Sequence, residues 1–203
     1  MNSTPLSPAA ERIALLALEQ FAEHGYDAAS LNDIAVRVGI KKASLYAHFA
    51  SKDALYEVTL ELALRAELNY VDAQFIEFKQ SNTSPGELYI RNLRYRFSSS
   101  ESLRFLLRAA FYPPQTHRER VMSGFNNYLA CMRSRFLAAL HTCYPALSGQ
   151  IGELLAETYM AVIDSLNVEL IYGNEKAYDR RLNALQQLSQ ADVINALTGR
   201  EGE

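Results

Sequence analysis

Two cysteines, Cys131 and Cys143, are too few to build a disulfide framework. They fall on or beside an apolar helical stretch, where small buried thiols are the expected reading. No apolar run approaches the ~18 residues that a membrane-crossing helix needs. The opening stretch, Met1 to Pro8, is polar and proline-bearing and lacks the apolar core of a signal peptide. A cytoplasmic protein with no membrane partner is the expectation. Positive charge is also scarce, with 20 basic against 23 acidic residues and a net charge of −3. That balance excludes a chain coated in basic residues, but a local patch survives it.

Catalytic signatures are missing too. The chain has no Gly-x-Ser-x-Gly, no Gly-x-x-x-x-Gly-Lys, no His-Glu-x-x-His and no Ser-x-x-Lys. His141 and Cys143 could supply two metal ligands, but no second pair lies near them. The expectation is therefore not an enzyme, with no metal and no cofactor. No strand pattern, internal repeat or low-complexity block is present.

What remains is helical periodicity in a chain that is 49% apolar, enough for a sizeable core. Ile13, Leu16, Ala17 and Phe21 mark a first helix from Pro8 to His24, with Gly25 as its stop. Ser30 caps a second, Leu31 to Val38, and Gly39 ends it. A third short helix is expected over Lys42 to Phe49. Ser51 caps a long fourth that reaches toward Lys79. Gln80 to Glu87 is a turn cluster. Later stripes run from Leu103 to Phe111, Val121 to Leu140, Ile151 to Tyr172 and Tyr178 to Leu197. The fold class is all-α, in about nine helices.

Two short helices joined at Gly39 make a helix-turn-helix candidate. The second helix of such a pair enters the major groove, which admits one helix and its outward side chains. Leu45 and Phe49, at i and i+4, anchor the third helix to the core. Lys42, Ala43, Ser44, Tyr46 and His48 are then left facing outward. From Arg37 to Lys52 the chain carries four basic residues and no acid, the local patch that the net charge hides. Lys52 stands at the amino end of the fourth helix, where backbone N–H groups also favour an anion.

The stretch "SLNDIAVRVGIKKASLYAHFASKDALY", with its lead-in "ALEQFAEHGYDAASL", resembles the N-terminal signature of the TetR family of transcriptional regulators. The match covers Ile13 to Val58, a quarter of the chain. The resemblance implies that Tyr46, His48 and Lys52 hold phosphates, with Lys42, Ala43 and Ser44 nearest the base edges. Asn32 belongs to the same implied surface, at a position where the family often has a basic residue. Ala47 is small where many relatives carry an aromatic.

It also implies two domains. Residues 1–54 would be a helix-turn-helix DNA-binding domain, and residues 55–203 a helical ligand-binding and dimerisation domain. The partners implied are double-stranded operator DNA, a small-molecule effector and a second copy of the chain. For the effector the residues to inspect are Phe97, Phe111, Phe125, Tyr128, Met132, Tyr159 and Ile163. Arg104, Arg108, Arg133 and Arg135 could hold an anionic ligand or lie exposed. The stretch Tyr159 to Tyr172 is apolar on most sides and needs cover all round. A dimer contact through Val168, Ile171, Leu182 and Leu185 would supply part of it. The function implied is a ligand-responsive regulator, in the repressor sense. The alternative from another class is a helical small-molecule-binding or interaction protein with a vestigial DNA-binding motif.

Overall fold

Ser7 starts the first helix: its hydroxyl accepts from the Ala10 N–H at 3.3 Å, and Pro8 follows at the first helical position. The computed structural model describes residues 6–78 and 83–188, with the side chains at 185, 186 and 188 outside the description. Helix α1 is Pro8–Ala28, interrupted at Gly25 by a φ of 77° that side-chain-bearing residues rarely adopt. Helix α2, Leu31–Val38, begins where the Ser30 hydroxyl accepts from Asn32 and Asp33 N–H groups, at 3.1 and 3.4 Å. It ends at Gly39, which is left-handed with φ 81°. Helix α3 is Lys42–Tyr46.

The expected continuation of α3 to Phe49 takes a tighter form. His48 N–H donates to the Leu45 carbonyl three residues back, so the last turn narrows. Helix α4, Lys52–Glu77, is capped by the Ser51 hydroxyl, which accepts from Ala54 N–H at 3.1 Å.

Beyond it come α5 (Glu87–Ser99), α6 (Glu101–Phe111), a 3-10 turn at Gln115–His117, α7 (Arg118–Cys143), a second 3-10 turn at Pro145–Leu147, α8 (Gln150–Tyr172) and α9 (Glu175–Leu188). All regular structure among the described residues is helical. Helix α5 was not anticipated, although its buried Tyr89, Ile90 and Leu93 keep helical spacing. The expected run of the last helix over 189–197 lies outside the described residues.

The chain packs as two units, each discontinuous in sequence. One combines the described part of Met1–Glu67 with Ser98–Asn126; the other combines Leu68–Phe97 with the described part of Asn127–Glu203. Helices α4 and α7 each contribute one end to either unit.

In the first unit α1 packs on α6 and α2, and α2 on α3. Ile13, Ala14, Ala17, Phe21, Ile34, Leu45 and Leu106 are buried there. Removing one such Leu or Phe side chain costs about 2–5 kcal/mol. In the second unit α8 packs on α9. Its core holds a Tyr89–Tyr128 hydroxyl pair at 2.5 Å and a Phe136–Tyr159 stack with centroids 4.2 Å apart. The Tyr159 hydroxyl donates to the Gly86 carbonyl at 3.2 Å.

Burial of the two thiols was expected and is corrected here. Both are free: Cys131 is half-buried because it lies off the face of α7 that carries Tyr128, Met132 and Phe136 inward, and Cys143 is exposed at the last position of that helix.

Candidate nucleic-acid interface

The surface is built from two buried anchors. Leu45 is fully buried and Phe49 nearly so, which rolls the rest of α3 outward. Lys42, Ala43, Ser44, Tyr46 and His48 are all exposed, and Tyr46 shows 48% of its surface. No hydrogen bond or ion pair among the described residues holds the side chains of Lys42, Tyr46 or His48. Lys41, next to them, is exposed as well. A long cation and a phenol left uncommitted on one short helix can meet phosphate oxygens and base edges at little internal cost. Asn32 is exposed in the first turn of α2; its backbone N–H is used by Ser30, and its side chain faces solvent.

Two cations of the sequence patch behave differently. Arg37 turns back to α1, with its guanidinium 2.6 Å from Glu19 and 3.5 Å from Glu23. It therefore leaves the free positive surface, because α1 places two carboxylates one turn apart beside it. Lys52 is half-buried and positioned: its ammonium donates to the Asp27 carbonyl at 3.2 Å and lies 4.5 Å from the centre of the Tyr26 ring. An ammonium has three donors, so capacity for a phosphate remains.

Behind Lys52 lies a cluster that the sequence reading missed. Asp53 Oδ1 accepts from the Tyr26 hydroxyl at 2.7 Å and stands 2.8 Å from His117 Nε2. The Tyr26 bond, and then His117, hold the Asp53 carboxyl below its ordinary range. Burial, and then the Asp53 contact, push the Tyr26 phenol up to about 12. Tyr56 and Phe105 complete the cluster, with ring centroids 5.4 Å apart. Only the Pro113-Pro114 stop ahead of His117 hinted at a fixed turn there.

Residues 13–59 match the family model for bacterial regulatory proteins of the tetR family. The N-terminal region of this chain is thus similar to that family. Over 45 residues the chain is 53% identical to the biofilm operon icaADBC HTH-type negative transcriptional regulator IcaR of Staphylococcus aureus (strain Newman). That alignment covers 22% of this chain and 24% of the relative, so the chain spans about a quarter of the length of the curated relatives it matches.

Solved structures extend the likeness to the whole tetR-family fold. A tetR-family transcriptional regulator from Streptomyces coelicolor superposes with a TM-score of 0.67 at 18% identity, over 97% of this chain and 89% of the other. The regulator FadR from Bacillus subtilis, solved in complex with stearoyl-CoA, gives a TM-score of 0.63 at 14% identity, over 89% and 97%. These proteins are regulators, not enzymes, and identities this low establish the fold.

Outside the matched region, the candidate effector residues divide between the packing units. Phe111 and Phe125 belong to the first; Phe97, Tyr128, Met132, Tyr159 and Ile163 belong to the second. Tyr128, Met132, Tyr159 and Ile163 are buried and Phe97 is half-buried.

Two of the candidate anion-binding arginines already hold carboxylates in the second unit. Arg133 pairs with Glu157 at 2.7 Å and with Glu153, and Arg135 pairs with Asp72 at 2.6 Å. In the first unit Arg104 pairs with Glu101, and the Arg108 guanidinium lies against Gly25. Of the candidate dimer residues, Val168, Ile171 and Leu182 are half-buried within the single chain. The Leu185 side chain lies outside the described residues. No described helix is long and apolar enough to cross a membrane.

Proposed function

We propose that the protein is a one-component, ligand-responsive transcriptional repressor that binds near-palindromic operator DNA as a homodimer and is released by a small molecule. The observation that carries this reading is the outward face of α3, where Lys42, Ser44, Tyr46 and His48 are exposed around a buried Leu45. Tyr46, His48 and Lys52 would take phosphates, and Lys42, Ala43 and Ser44 would lie nearest the base edges. Asn32 would border the same backbone path. The reading places the protein in the cytoplasm, beside the DNA, and gives it a binding role without a catalytic one.

Residues 1–54 would form the DNA-binding domain and residues 55–203 the ligand-binding and dimerisation domain. The dimer contact would use the outer side of α8, where Ile151, Leu154 and Tyr172 are exposed, together with Val168, Ile171 and Leu182. Isologous contact of two such faces would set the spacing of the two α3 helices and hence the operator half-sites. The effector would be largely apolar, held in the second unit by Tyr128, Met132, Tyr159 and Ile163 with Phe97. A fold relative, FadR, holds stearoyl-CoA, and aromatic and methionine side chains of this kind suit such a ligand.

The test is anisotropy of a labelled duplex taken from beside the gene, titrated over a salt series. A specific complex whose affinity falls steeply with salt is expected, about 0.9 in slope for each phosphate neutralised. A folded wild type that shows no salt-dependent binding to that DNA, or to any duplex in a genome-wide pull-down, ends the proposal.

A further inference from the structure

His117 is 5% exposed and carried by a turn that follows Pro113 and Pro114. It is 64 residues from Asp53 in sequence, yet its Nε2 comes within 2.8 Å of Asp53 Oδ1. That oxygen also accepts from the Tyr26 hydroxyl. An ionised carboxylate only accepts, so the shared hydrogen sits on His117 Nε2. The other ring nitrogen is 3.9 Å from Glu57, beyond a hydrogen bond. The imidazole also packs edge-on to Tyr26, centroids 5.2 Å apart, and against Tyr56 at 4.8 Å. The Tyr26 ring is the platform for the Lys52 ammonium. One buried side chain thus grips both the acid that holds the Tyr26 hydroxyl and the ring on which Lys52 rests.

We propose that His117 is a positioning residue for DNA binding: through Asp53 and Tyr26 it holds Lys52 in the place where α4 begins and a phosphate is met. This rests on the reading of the α2–α3 surface as the DNA interface. Lysine has a long flexible stem, and ordering it only on binding costs affinity. In the free protein the Tyr26 ring and the Asp27 carbonyl already order it. That arrangement lasts only while Tyr26 is fixed. His117, one residue before α7 begins, fixes it from outside the matched N-terminal region.

The experiment uses the full chain and a fluorescein-labelled duplex of random sequence, so that no operator need be known. Affinity is measured across a sodium chloride series for wild type, Lys52→Ala, His117→Gln, His117→Asn and the Lys52→Ala/His117→Asn double variant. Glutamine can return an N–H to the Nε2 position; asparagine is polar but too short to reach it.

Lys52→Ala and His117→Asn are each expected to lower the salt slope by roughly 0.9, the share of one phosphate. His117→Gln should keep the wild-type slope. The double variant should bind no more weakly than Lys52→Ala alone, because both changes remove one contact. A His117→Asn variant with wild-type slope beside a weakened Lys52→Ala overturns the proposal and leaves the DNA interface standing. Additive losses in the double variant overturn it as well, as does unfolding of His117→Gln seen by circular dichroism. Wild type without salt-dependent binding, or Lys52→Ala indistinguishable from it, removes the phosphate role of Lys52 and this proposal with it.

Discussion

In the first packing unit Lys42, Tyr46 and His48 stand exposed with no side-chain partner among the described residues. In the second, Arg133 is clasped by Glu153 and Glu157, Arg135 by Asp72, Arg94 by Asp179 and Arg181 by Glu169. Both units carry cations on helices. A cation already paired must break that pair to meet a phosphate, whereas an unpaired one needs only to shed water. A surface kept free of acids is thus a stronger sign of an anionic partner than the number of basic residues. Arg37 makes the same point inside the first unit: it lies in the acid-free stretch of sequence, yet α1 neutralises it.

Two left-handed glycines, one in each unit, differ in how tightly they are hemmed in, and substitution there gives the largest expected contrast. Gly86 has a φ of 77°, and a Cβ on it would land on the Tyr159 ring. Gly86→Ala should destabilise the second unit by about 2–5 kcal/mol, backbone strain and overpacking together. Gly39 has a φ of 81° with open space around it, so Gly39→Ala should cost only about 1–2 kcal/mol. Urea denaturation of both variants reads the difference, and equal losses would dissolve it.

A charge on the outward side of α8 comes next. Val168→Asp should split the proposed dimer, since an unpaired carboxylate in a closed interface costs several kcal/mol, on the order of 3–5. Light scattering at micromolar concentration would show a monomer, with helicity by circular dichroism unchanged.

On the other unit, Lys42→Ala and Tyr46→Phe should leave the thermal midpoint within a degree or two and weaken DNA binding about tenfold each, roughly 1.4 kcal/mol. Anisotropy paired with a melting curve separates the two effects. A loss of stability matching the loss of binding would mean that these side chains serve the fold instead.

A subtler contrast is expected in alkali. Tyr26 is raised from 10.0 to about 12, so the fold favours its neutral form. The stability linked to that preference is complete below about pH 10 and is lost as pH climbs toward 12. Burial pushes Tyr56 upward in the same sense. Tyr26→Phe should therefore flatten the fall in stability between pH 10 and 12, seen as a smaller drop in urea midpoint than wild type shows. Parallel curves for the two proteins would place the alkaline sensitivity elsewhere.

Much of the first unit was legible in the sequence because its signals act over a few residues. Ser30, Gly39 and Ser51 cap helices that begin or end next to them, and Leu45 with Phe49 sets which way α3 faces. The helices around 103–111, 118–143 and 150–172 were legible for the same reason, as stripes at helical spacing. Helix α5 escaped notice because Arg91, Arg94 and Arg96 interleave its Tyr89, Ile90 and Leu93, so the stripe is short and broken by charge. The effector residues were the least legible, since aromatic residues at helical spacing look alike whether they fill a core or line a cavity.

Local chemistry therefore determined the helices, their caps and the outward face of α3, all of which depend on neighbours no more than a turn or two away. Only the tertiary structure decided that Arg37 is neutralised, that Arg133 and Arg135 are occupied, and that the packing divides within α4 and α7. It alone brought His117 to Asp53 across 64 residues of chain. Helical periodicity specifies which face of a helix is buried, but not which side chain of a distant helix arrives against it. That pairing follows from how the helices pack, and packing is a property of the whole folded chain.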